Sequence, residues 1–185
     1  MEAALATRHS THGLTFRPDY RMVVLRDVYC DAAVGSGDAI SEASKNVAAS
    51  TGYEIYTLAS QDLISVRADV EVWDSAADDD LTTAGWTGPL TFDLDCPTGH
   101  LQVGDIMGTV ITGIDPPQGA GRYKVALFHQ GREQADQARY EILKVMGTPG
   151  DEERIAVLQR QNSGLERYLM RIWWRAELPP DDDDL

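Results

Sequence analysis

The sequence predicts a mainly β protein: an antiparallel β-sandwich with two α-helices inserted before the final strand. Three observations carry this. Apolar residues alternate at a period of two along short segments between residues 14 and 128. Glycine- and proline-rich turns separate those segments, and helical spacing of three and four appears only after residue 132.

The first strand candidates are residues 14–17, 21–29 and 53–59. Between them, residues 40–50 suit either a helix or an edge strand. The run Ile40-Ser41-Glu42-Ala43-Ser44 favours the strand. The clearest strand is 66–73: Val66, Ala68, Val70 and Val72 point one way, and Arg67, Asp69, Glu71 and Trp73 the other. Residues 91–95 repeat the pattern, with Phe92 and Leu94 inward and Asp93 and Asp95 outward. Residues 100–103 and 108–114 form a broken hairpin, and 122–130 puts Tyr123, Val125 and Leu127 on one face. Turns fall at Gly35-Ser36-Gly37-Asp38, Cys96-Pro97-Thr98-Gly99 and Asp115-Pro116-Pro117.

From residue 133 to 146, Ala135, Ala138, Ile142 and Val145 form one apolar helical stripe. A second helix opens at Thr148-Pro149-Gly150-Asp151. Thr148 is the cap, Pro149 the first helical residue, and Asp151, Glu152 and Glu153 suit the positive helix end. Gly164 is placed to end it. Residues 167–175 return to strand, with Tyr168, Met170, Ile172 and Trp174 on one face and Arg167, Leu169, Arg171, Trp173 and Arg175 on the other. The resulting division is a mobile tail at 1–12, one sandwich domain at 13–178 with a helical insertion at 131–164, and an acidic tail at 179–185.

Charge is the most uneven property of the chain. Between Asp62 and Asp115, eleven acidic residues stand against Arg67 alone, within a formal net charge of −14 for 185 residues. Such a surface repels polyanions and anionic lipid and attracts cationic partners, so nucleic-acid and membrane binding are not expected. Cys30 and Cys96 are too few for a disulfide scaffold, and residues 1–10 lack a long apolar run, so a cytoplasmic location is expected.

No catalytic signature stands out. His9 and His12 fall in the expected tail, and His100 and His129 lack a nucleophile context. There is no Gly-x-Ser-x-Gly elbow, phosphate loop or His-Glu-x-x-His. An enzyme is therefore not expected, and no cofactor or metal is implied. Asp74, Asp78, Asp79 and Asp80 could instead gather around calcium in a β-sandwich ligand-binding module, although the spacing matches no EF-hand. A structural component of a larger assembly is a further alternative. Arg167, Arg171, Arg175 and Trp173 form either a basic-aromatic stripe or, preferably, a strand face paired with Asp69, Glu71 and Asp93. The acidic face serves either solubility or, because like charges on strands 66–73 and 91–95 would oppose one another if these were neighbours, a compensating use in partner binding.

The order of segments adds to this. Asp38-Ala39-Ile40-Ser41-Glu42-Ala43, the two strands that follow, and Pro116-Pro117-Gln118-Gly119-Ala120-Gly121-Arg122-Tyr123-Lys124-Val125 together resemble the competence protein J family. The likeness spans residues 14–130 and the last strand. Members are small β-rich inhibitors of a DNA-entry nuclease, and proteins of that layout look like immunity partners of secreted toxins. The resemblance implies a β-sandwich that binds and blocks a protein, and it assigns no role to an individual residue. The expected function is an acidic inhibitor or immunity protein for a basic nuclease or toxin. Its expected partner-binding residues are Asp69, Glu71, Asp93 and Asp95, the loop residues Asp78, Asp79 and Asp80, and Trp73 or Trp86 as aromatic anchor.

Overall fold

A computed structural model describes residues 6–30, 34–77, 80–147 and 149–179. The strands are β1 (Arg8–Phe16), β2 (Met22–Asp27), β3 (Ala48–Ser50), β4 (Glu54–Leu58), β5 (Val66–Trp73), β6 (Thr87–Cys96), β7 (Leu101–Gly104), β8 (Val110–Ile114), β9 (Gly121–Gln130) and β10 (Arg167–Ala176). Helix α1 (Ser36–Asn46) follows β2, and α2 (Arg132–Val145) and α3 (Asp151–Gln161) lie between β9 and β10. Two five-stranded sheets result, in the orders β1-β5-β10-β9-β6 and β3-β4-β2-β7-β8. The pairings are antiparallel except β5 with β10, which run parallel at the centre of the first sheet.

The period-two alternations meet between the sheets. Val66, Ala68, Val70, Val72, Tyr123, Val125 and Leu127 pack with Met170 and Ile172 against Val23, Leu25, Ile55, Leu101, Val103 and Ile114. These residues supply the core's hydrophobic stabilisation.

Two expectations need correction. The segment read as a strand at 40–50 is instead α1, followed by the short β3. Ala39 and Ala43, one helical turn apart, bury against Met22, Val24, Ala49, Tyr56 and Leu58 on the outer face of the second sheet. Small residues allow this close approach, and that tertiary contact outweighs the local alternation. Residues 8–12, expected within a tail, instead belong to a strand: β1 begins at Arg8 and places Ser10, Thr11 and His12 opposite Val72, Glu71 and Val70. This edge strand joins through its backbone, which a polar side-chain pattern does not reveal.

Buried polar networks fix the ends of the sandwich. At the base of the helical insertion, Glu166 accepts hydrogen bonds from Ser60 N–H and Oγ–H (both 2.8 Å), Arg132 (3.2 Å) and the Tyr168 hydroxyl. Arg132 also donates to Leu58 O at 2.6 Å, so the first residue of α2 is tied to both sheets. Burial, and then the Glu166 charge, push the Tyr168 hydroxyl pKa well above its ordinary value. Helix α3 begins at Asp151, two residues beyond Pro149, and Thr148 lies outside the described residues. Gly164, past the helix end, has φ +74° and donates to Ser65 O at 2.8 Å, which steers the chain into β10.

A candidate protein-binding face

The four strand carboxylates share the outer face of the first sheet, but β10 and β9 separate those on β5 from those on β6. Three strand steps put about 14 Å between the two groups. Asp69/Glu71 and Asp93/Asp95 are therefore not cross-strand neighbours. The intervening strands carry cations.

Each carboxylate meets one or more of them. Glu71 accepts from Arg8 Nη1 at 2.6 Å, Arg171 Nε at 2.9 Å and Trp73 Nε1 at 3.0 Å. Its side chain is 10% exposed and that of Arg171 7%, so this pair is buried. Asp69 takes Arg67 Nε at 2.8 Å, with Arg167 at 3.6 Å. Asp95 receives Arg122 in a two-pronged contact at 2.6 and 2.9 Å, the geometry that suits a guanidinium, and Asp93 meets Lys124 at 3.1 Å. The expectation that the last strand's arginine face pairs with Asp69 and Glu71 thus describes the structure, but Asp93, expected there too, meets Lys124 of β9 instead, and a bare carboxylate face is not what forms. Gly13 on β1 makes room for one pair, since a Cβ there would collide with the Arg67 guanidinium and the Asp69 carboxylate.

Aromatic rings lie among these charges. The register aligns Trp73 with Trp173 and Trp173 with Lys124. Arg171 stands 5.2 Å from the Trp73 ring centroid and 5.7 Å from that of Phe128, and Arg167 5.4 Å from Trp86. Trp86 and Leu81 fold back over Ala126, Phe128 and Leu169, giving the outer face a small apolar cluster of its own. Asp80 is occupied locally: its Oδ1 accepts from Thr82 N–H at 2.9 Å and Thr82 Oγ–H at 2.5 Å, which lowers its pKa. Asp78 and Asp79 lie outside the described residues. Among the described residues, no group of three or more His, Cys, Asp or Glu is placed to hold a metal. No described helix is long and apolar enough to cross a membrane.

The sequence reading missed Arg8, Arg122 and Lys124. The latter two alternate with Tyr123 and Val125, a visible signal, but their pairing with β6 depends on strand order. Arg8 was hidden in the expected tail.

No protein-family model matches the sequence, and no curated protein matches it. Solved structures do share the fold. ComJ from Bacillus subtilis, described as the inhibitor of the DNA degrading activity of NucA, aligns with a TM-score of 0.55 at 12% identity, over 93% of this chain and 100% of ComJ. The chain has the ComJ fold. Crocagin biosynthetic gene J aligns with a TM-score of 0.56 at 10% identity, over 90% of this chain and 97% of its own.

Proposed function

We propose that this chain works by binding, as an acidic inhibitor or immunity protein that blocks a basic nuclease or toxin in the cytoplasm. The observation that carries the reading is the likeness to ComJ, a nuclease inhibitor, along the whole of that protein and nearly the whole of this one. A net charge of −14 supports it, because it draws cationic proteins from a distance. The outer face of the first sheet is the proposed contact surface. Trp73, Trp173 and Trp86 supply anchors, and the Asp69, Glu71, Asp93 and Asp95 pairs supply its polar surround; the acidic sequence run Asp78, Asp79 and Asp80 is proposed to add to the attraction. Aromatic rings among charges that already have partners give contact area with little rearrangement, as interface hot spots do.

Capture from the source organism at low ionic strength tests this when followed by an activity assay. The expected result is a basic protein whose nuclease or toxic activity falls in proportion to added chain. Trp73→Ala combined with Trp173→Ala should raise the inhibitory concentration roughly tenfold or more. A captured protein that keeps full activity when saturated with the chain would overturn the reading.

A further inference from the structure

A second site lies on the opposite side of the sandwich, where the β7–β8 hairpin leans over the outer face of the second sheet. A cavity of about 70 Å³ is lined there by Glu54, Arg26, Gln102, Tyr56 and Asp105, with Ile106 and Val110 at its edge. Asp105 is 4% exposed. Its Oδ1 accepts from the backbone N–H groups of Met107 (2.8 Å), Gly108 (2.9 Å) and Thr109 (3.1 Å), and so organises the hairpin turn. Its Oδ2 is buried without a hydrogen-bond partner among the described residues. A buried carboxylate oxygen left so is costly and marks a place where a donor is wanted.

The other charges around the cavity are already matched. Arg26 meets Glu54 at 3.2 Å, and the second Glu54 oxygen accepts from the Tyr56 hydroxyl at 2.6 Å. With the Gln102 amide turned so that its oxygen faces Arg26, it accepts from Nε at 2.9 Å and Nη2 at 3.2 Å. Asp105 therefore contributes the one carboxylate oxygen at the cavity without a partner among the described residues. At ~30 Å³ of liquid volume per water, the space suits about two waters or one cationic head group. The edge beside it is apolar: Ile106, Met107 and Val110 are among the exposed large hydrophobic residues.

We propose that this cavity seats the cationic head of a lysine or arginine side chain from the partner protein, with Asp105 as acceptor and the Ile106–Met107–Val110 edge covering its aliphatic stem. An acid at the bottom and apolar groups around the mouth match an amphipathic cationic chain and exclude an anion. The inference rests on the protein-binding reading for its biological occupant, whereas its chemistry can be tested without any partner.

The test follows backbone amide NMR signals during titration of the chain with methylguanidinium and with methylammonium. At least one should produce saturable shifts confined to residues 104–110 and the neighbouring parts of β2 and β4. Asp105→Asn keeps the oxygen that holds the turn and turns the lone acceptor into a donor, so it should weaken binding at least tenfold. Should that variant unfold, Val110→Phe, which blocks the mouth from the exposed side, should abolish the shifts. Shifts spread over the whole surface, shifts unchanged in a folded variant, no shift with either cation, or calcium alone acting there would each overturn the proposal. Any of these results leaves the inhibitor reading standing, since that depends on activity assays and the tryptophan variants.

Discussion

Glu71 and Arg171 show how single residues shape the outer face. Both are nearly enclosed, with Arg8 and the Trp73 indole completing the carboxylate's partners. Glu71→Ala removes the buried carboxylate that Arg8, Arg171 and Trp73 share and should cost about 3–5 kcal/mol. Replacing both members, Glu71→Leu with Arg171→Met, should recover most of that loss, because the pair's attraction largely offsets its own desolvation. Urea midpoints at unchanged m-value separate the two cases, and a double variant as weak as the single one would contradict this account. Asp27 behaves differently. Burial opposes its charge, yet hydrogen bonds from the Cys96 thiol (3.0 Å), the Tyr29 N–H (3.0 Å) and Thr98 outweigh burial and hold the carboxyl below its ordinary 3.8. With the folded pKa below the unfolded one, its contribution is complete above about pH 4–5 and disappears as pH falls through the lowered value. Stability curves of the wild type and Asp27→Asn should therefore run parallel at neutral pH and converge below about pH 4. Curves that stay parallel to pH 2 would show that Asp27 has no such shift.

At the level of elements, legibility followed the source of each element's stability. The β5, β6, β9 and β10 alternations were readable because those strands bury one apolar face, and the period of that burial is written in the chain. Helix α1 was not, because it is held by Ala39 and Ala43 lying on a sheet assembled from distant strands. The start of β1 was not, because an edge strand with polar side chains is recruited by backbone pairing to β5. Proline tests the helix directly. Ser41 is exposed within α1, so Ser41→Pro removes no core contact but loses a helical hydrogen bond and clashes with the preceding turn. A loss of about 3 kcal/mol in thermal or urea unfolding is expected. An edge strand at the same position would tolerate the change, and a near-neutral result would favour that conformation.

For the whole molecule, the question is which charges a partner feels. Part of the candidate face could be read in advance: the outward carboxylates and Trp73 follow from alternation alone. The pairing of Asp69 and Glu71 with the Arg167–Arg171 face was legible too, whereas the contacts of Arg8 and Lys124 were not, because they form only once strand order is fixed. Steering and anchoring therefore separate. The net charge of −14 acts over about a Debye length and belongs to the whole surface, whereas the tryptophans act only on contact. Asp93 lies on the edge strand β6 with its side chain 54% exposed, so reversing it perturbs the field without disturbing the core. With a basic partner, Asp93→Lys should lower the association rate about two- to fivefold at low salt, and the effect should fade as salt approaches roughly 0.5 M. Trp73→Ala should leave association nearly unchanged and speed dissociation about tenfold or more. Stopped-flow association and surface dissociation rates at several salt concentrations resolve the two. If Asp93→Lys altered only dissociation, the acid would be an anchor within the contact; if Trp73→Ala altered neither rate, the partner would dock elsewhere on the molecule.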